Sequence, residues 1–231
     1  MTDQSKASVF SPAIDEKILQ YLKYMLDYNG KVNLTAIREF QEAINKHLVD
    51  SLSATLWDGW TEVKKVIDLG SGAGLPGIPL AINYPEKMFT LIEANGKKAD
   101  FLRLVVKEFA LENVTILQQR AEETGRMNEY RGQSDLVLSR AVGSLPILLE
   151  LGMPLLKCYG HLIAYKGPQI NGEIDLAKKA QMELSAADPT VISYLLPDNS
   201  GERHLAIYQK MQETSIKYPR RIGIPEKKPI R

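Results

Sequence analysis

Residues 66–77 read Val-Ile-Asp-Leu-Gly-Ser-Gly-Ala-Gly-Leu-Pro-Gly, an apolar strand that breaks into a glycine-rich turn. Glycines let backbone approach a ligand where any Cβ would collide. In open α/β sheets the ligand lies beyond the carboxyl ends of the strands. The stretch therefore predicts an α/β fold with a nucleotide-like ligand at this turn.

Gly72 to Gly77 also matches the dinucleotide fingerprint GxGxxG, a short pattern of low specificity. Two details argue against a dinucleotide. Asp68 ends the strand, where its carboxylate would repel a pyrophosphate that otherwise favours the positive end of a helix. Pro76 and Pro79 remove two N–H donors from the segment that would cradle it. Both details suit S-adenosylmethionine, which carries no phosphate and has ammonium and sulfonium charges that acidic groups can balance.

Around this turn the chain alternates strands and helices. Apolar residues at Ile14, Ile18, Tyr21, Leu22, Met25 and Tyr28 predict an amphipathic helix. Ile44, Leu48, Leu52 and Leu56 predict a second, from about Glu39 to Trp57. Together they would cap the sheet. Strands are expected at Val66–Leu69, Met88–Glu93, Val114–Leu117, Leu136–Ser139 and Leu162–Tyr165, with helices such as Lys97–Phe109 and Ser144–Leu156 between them. That order implies right-handed crossovers and a parallel sheet. After a helix near Glu173–Leu184, strands Val191–Leu196 and His204–Gln209 flank a turn at Pro197–Gly201, so the last strand should run antiparallel. The pattern resembles the class I methyltransferase sheet. The expected layout is a helical cap over residues 1–60, a donor-binding core over 61–210 and a basic tail over 211–231 packed on or extending from that core, in a single structural unit.

The 231 residues are 44% hydrophobic and 25% charged, as in a soluble globular protein. The nearly apolar run Leu145–Leu156 contains Glu150 and is too short to span a bilayer. Residues 1–10 lack the apolar core of a signal peptide, so the expected setting is the cytoplasm, with no membrane partner. One cysteine, Cys158, excludes an internal disulfide framework and a paired-cysteine zinc site, and no metal is expected. It is expected at a helix end before the fifth strand, as a structural residue away from the cleft. The net charge of +1 hides a tail, Lys210–Arg231, with seven basic and two acidic side chains. Such a run is either a solvated face or a contact for phosphates.

Polar residues then fall at successive carboxyl ends. Glu93 ends the second strand, where a carboxylate can accept both ribose hydroxyls. Ala121-Glu122 follows the third strand, within reach of an adenine pocket, and Arg140 ends the fourth. Three such groups together are a stronger site signal than any one.

Asn33-Leu34-Thr35-Ala36-Ile37, His47 with Asp50-Ser51-Leu52, Asp68 to Pro76, Ala121-Glu122, Ser139-Arg140-Ala141-Val142 and Tyr218-Pro219-Arg220-Arg221 with Gly223 and Pro225 extend over nearly the whole chain. In order and spacing they resemble the glucose-inhibited division protein B family, bacterial enzymes that methylate N7 of a guanine in 16S ribosomal RNA. The resemblance implies that Gly70 and Leu75 contact S-adenosylmethionine, that Ala121 and Glu122 hold its adenosine part, and that Arg140 serves the donor or the target pocket. It implies 16S RNA or the 30S subunit as partner, and a monomer is expected. His47, Lys97, Lys98, Lys166, Arg220 and Arg221 are the candidates for holding RNA. One departure is Gly96, where the family usually has asparagine.

No general base is required, because guanine N7 offers an in-plane lone pair and has no proton to lose. Three rival readings stay open on the residues alone: a small-molecule methyltransferase, a nicotinamide-dependent oxidoreductase, and a noncatalytic RNA-binding protein.

Overall fold

The computed structural model describes residues 7–231. The strands are β1 (Ser8–Val9), β2 (Lys65–Leu69), β3 (Met88–Ile92), β4 (Val114–Leu117), β5 (Ser134–Arg140), β6 (Leu156–Lys166), β7 (Thr190–Leu195) and β8 (Glu202–Gln209). They form one sheet in the order β1-β7-β8-β6-β5-β2-β3-β4. Only β8 is antiparallel to its neighbours, β6 and β7. The strand order reverses between β2 and β5, and at such a switch point the two crossovers leave a crevice beyond the carboxyl ends.

The helices are α1 (Glu16–Tyr28), α2 (Phe40–Ala43), α3 (Asp50–Leu52), α4 (Gly77–Asn83), α5 (Gly96–Glu108), α6 (Ala121–Thr124), α7 (Leu145–Gly152), α8 (Ile170–Glu183) and α9 (Ile224–Lys227). Alternation along the strands divides the core into two layers. Val66, Leu91, Leu136 and Ile163 face α1, the α2–α3 run, α4 and α5. Ile67, Ile92, Val137 and Leu162 face α7, α8 and the tail residues Tyr218 and Ile230. The amino-terminal helices are thus one side of the main core. Tyr28 of α1 packs on Phe101 of α5 with ring centroids 5.1 Å apart, and the Tyr21 hydroxyl donates to the Ala73 carbonyl in the glycine turn at 2.7 Å.

Two details depart from the sequence expectation. The second cap helix is not regular: Ile44–Val49 between α2 and α3 is a π-helix, and Ser53–Leu56 after α3 is 3-10. Cys158 lies inside β6, not at a helix end, because β6 starts six residues earlier than its most apolar stretch. The tail is packed on the core. Glu150, fully buried in α7, accepts from Arg220 N at 2.9 Å, Nε at 2.8 Å and Nη2 at 2.5 Å. Arg131 donates to the carbonyls of Thr214 and Tyr218 at 2.6 and 2.8 Å, and the Tyr218 hydroxyl donates to Glu183. The tail is strapped over the α7 and α8 layer, with Tyr218 and Ile230 buried in it and α9 against α7.

Candidate active site

β2 delivers the chain into the glycine turn with Gly70 at φ +72, a left-handed conformation that glycine adopts freely. A Cβ at Gly70 would lie 2.4 Å from Val142 Cγ2, so the side chain is excluded by space as well. The amides of Gly70 and Ser71 donate to the Ile92 carbonyl at 2.9 and 3.1 Å. Glu93 completes the join: its Oε2 accepts from Gly72 N at 2.8 Å and its Oε1 from Asn95 N at 2.7 Å. Each oxygen keeps a lone pair for a further donor.

Asp68 differs from its expected role. It is fully buried behind the turn, and its Oδ2 accepts from Gly77 N at the start of α4 at 2.9 Å. Burial pushes its carboxyl up to about 7, although the Gly77 N–H works in the opposite direction. A carboxylate thus already occupies the α4 terminus, where a dinucleotide would place its pyrophosphate.

Beside the turn is a cavity of about 280 Å³. Gly70, Glu93, Ala121 and Glu122, four of the residues expected from sequence, line it with Ile92, Val142, Ile147 and Leu151. Also on its wall is Gln119, whose Oε1 is buried with no hydrogen-bond partner among the described residues. Apolar walls, a carboxylate with spare lone pairs and an orphaned amide oxygen fit an adenosine group, whose flat base is apolar on its faces with an N–H donor at its edge and whose ribose carries O–H donors. Gln119 carries no sequence signal beyond its position after β4. Pro225 and Glu226 line the cavity too, and Glu122 Oε1 accepts from Gly223 N at 2.9 Å. The tail therefore builds one wall of the site.

Leu75 and Arg140 are not brought into this cavity. Leu75 is buried in the apolar layer under the cap helices. Arg140 lies at the same edge on the cap side, where its Nη1 donates to Asp50 Oδ2 at 2.9 Å and to the Lys46 carbonyl at 3.2 Å. His47 is next to it. The His47 Nε2 lies 2.7 Å from Thr35 Oγ1, and Nδ1 is buried with no partner among the described residues. Burial, helped by the Arg140 charge, lowers its pKa to about 4, so the imidazole is neutral at pH 7.

The basic candidates separate into two kinds. Lys166 is consumed inside the fold: its Nζ donates to Glu173 and to the Gly143 carbonyl, both at 2.7 Å. Arg220 is likewise consumed by Glu150. Neither is a free cation, because each has a carboxylate partner: Glu173 just beyond β6 for Lys166 and Glu150 in α7 for Arg220. Lys97 and Lys98 stand in the first turn of α5, which has no acidic residue, so they oppose the helix dipole and gain from an external anion. Arg221 is exposed beside Arg126, Glu122 and Glu123 around a surface hollow next to the cavity.

Comparison with known proteins places this geometry in context. The described fold is shared with a SAM-dependent O-methyltransferase from Thermotoga maritima (TM-score 0.54, 16% identity, 83% of this chain and 72% of that one). It is shared also with M. jannaschii TYW2 in complex with AdoMet (TM-score 0.54, 21% identity, 75% and 77%). These likenesses establish the class I methyltransferase fold. Closer in sequence are two proteins named ribosomal RNA small subunit methyltransferase G. The one from Carboxydothermus hydrogenoformans is 40% identical over 96% of this chain and 95% of its own length. The one from Lactococcus lactis subsp. lactis is 41% identical over 94% and 92%. The family model described as rRNA small subunit methyltransferase G matches residues 14–205. With the sheet, the glycine turn and the cavity in agreement, the chain belongs to the rRNA small subunit methyltransferase G family.

Proposed function

We propose that this protein transfers a methyl group from S-adenosylmethionine to N7 of a guanine in small-subunit ribosomal RNA. The observation that carries the reading is the cavity at the sheet's switch point, where Gly70, Glu93, Gln119, Ala121 and Glu122 converge in a chain of this family. Glu93 would accept the ribose hydroxyls, Gln119 Oε1 would take an adenine N–H, and Gly70 would let the donor lie against backbone. When bound, S-adenosylmethionine supplies an electrophilic methyl group.

The chain's own part is positioning. Guanine N7 attacks with a lone pair and loses no proton, so alignment and exclusion of water replace a general base. Arg140 serves the target side of the cleft, and His47, neutral at pH 7, offers a hydrogen bond there rather than a charge. Lys97, Lys98 and Arg221 hold phosphates through charge and set the register of the RNA without reading its sequence. The substrate is 16S RNA, free or within the 30S subunit, and the place of action is the cytoplasm.

A nicotinamide-dependent oxidoreductase fits less well, because Asp68 holds the α4 terminus. A small-molecule methyltransferase would have no use for the cations in the first turn of α5. Incubating the purified protein with labelled donor and 16S RNA, then cleaving specifically at N7-methylguanine, tests the reading. A single labelled guanine supports it; label confined to another position or absent from RNA removes it.

A further inference from the structure

The Arg140 side chain is held from one side only. Both N–H groups of its Nη1 are taken, by Asp50 Oδ2 and by the Lys46 carbonyl. Its Nε and Nη2 have no partner among the described residues, which leaves a fork of donors suited to a planar oxyanion or a carbonyl oxygen.

The group that holds it is itself built in. Asp50 is buried, and its second oxygen, Oδ1, accepts from the Tyr194 hydroxyl of β7 at 2.8 Å. That hydroxyl accepts from Ser53 Oγ at 2.8 Å. The Tyr165 hydroxyl at the end of β6 donates to the Ser51 carbonyl at 2.9 Å, pinning the same turn to the sheet. The Lys46 carbonyl that accepts from Arg140 lies in the π-helical stretch 44–49, a local widening of the kind that recurs at functional sites. A turn of helix, two strand ends and a local change of helix type thus converge on one nitrogen of one arginine.

We propose that Asp50 is a positioning residue for methyl transfer: with Tyr194 and Ser53 behind it, it fixes Nη1 of Arg140 so that Nε and Nη2 are presented to the reacting partners. This rests on the functional reading above. An apolar residue at position 50 would leave Arg140 Nη1 and the Tyr194 hydroxyl without their acceptor and Arg140 free to rotate. Asp50 touches neither donor nor RNA and acts on the transfer through Arg140; its other cation, Arg203, has its Nε 4.0 Å from Oδ1.

The test is a double-mutant cycle on the full-length protein with 16S RNA and S-adenosylmethionine. Asp50→Asn keeps the shape and removes the charge; Tyr194→Phe, the milder change, removes only the hydroxyl behind it. Each should lower kcat/KM, by about tenfold for Asp50→Asn and less for Tyr194→Phe, because contacting groups in one network couple strongly. In an Arg140→Gln background, Asp50→Asn should change kcat/KM by less than about twofold, since the residue through which it acts is gone. An equal loss in both backgrounds, or no loss in either, overturns the relay while leaving the functional reading intact. If the unmutated protein transfers no methyl to the RNA, the functional reading and the relay fail together.

Discussion

Arg220→Ala separates a structural strap from an RNA-binding arm. Glu150 is fully buried and receives three hydrogen bonds from Arg220, two of them from the guanidinium. Truncation leaves the carboxylate with only the Arg220 backbone N–H. Breaking one partner of a buried ion pair costs about 3–5 kcal/mol. The Arg220 side chain is 29% exposed, so water already weakens the pair and the low end, about 3 kcal/mol, applies. For a chain of this length Tm falls by roughly 2–4 °C per kcal/mol, which gives a drop of about 6–12 °C by calorimetry. Adding Glu150→Gln removes the stranded charge and should recover at least half of the loss. Because the strap carries Pro225 and Glu226 to the cavity, donor affinity should fall in Arg220→Ala and return with the second change. A Tm drop below about 2 °C, or a double variant no more stable than the single one, would refute the reasoning.

Glu93→Ala should weaken S-adenosylmethionine binding by about 1.5–3 kcal/mol in titration calorimetry, the worth of a hydrogen bond to a charged group; unchanged affinity would remove Glu93 from the donor site. Arg221→Ala should lower the slope of log K for RNA against log salt by about one phosphate contact, roughly 0.7–0.9, whereas Arg220→Ala should leave it unchanged once folding is accounted for. Asp68 gives a pH signature. Its carboxyl, near 3.8 when unfolded, is pushed up to about 7 in the fold, so the folded state holds the extra proton between those values. Stability from this residue therefore declines as pH rises from about 4 to about 7. The stability gap between Asp68→Asn and the unmutated protein, measured by urea unfolding, should widen in favour of the variant over that window; a constant gap counts against the burial argument.

The regular elements were legible because their periods are written in apolar residues: the α1 stripe and the strands from β2 to β8 lie where those residues recur. β1 was not, since two residues carry no period, and their pairing with Tyr194 and Leu195 depends on a strand that arrives late in the chain. The π-helix was hidden for a related reason. Ile44, Leu48, Leu52 and Leu56 keep steps of four whether or not one turn is widened. In the site, Glu93 and Ala121-Glu122 were readable because strand ends of an α/β sheet converge on one edge. Lys166 and Arg220 were misplaced because charge in a sequence does not reveal its partner. Glu150 is the clue that was present: a carboxylate inside an apolar helix must find a cation or stay neutral. The tail's wall on the cavity follows from that pairing, so it too was out of reach until Glu150 and Arg220 were seen together.

Mapping the methylated base in 16S RNA tests the central claim most directly. The purified protein with labelled S-adenosylmethionine should place label on a single guanine that becomes cleavable as N7-methylguanine, and Glu93→Ala should abolish most of it at limiting donor. Label on an amino group or on C5 of a base, or transfer only to small molecules, would contradict the account.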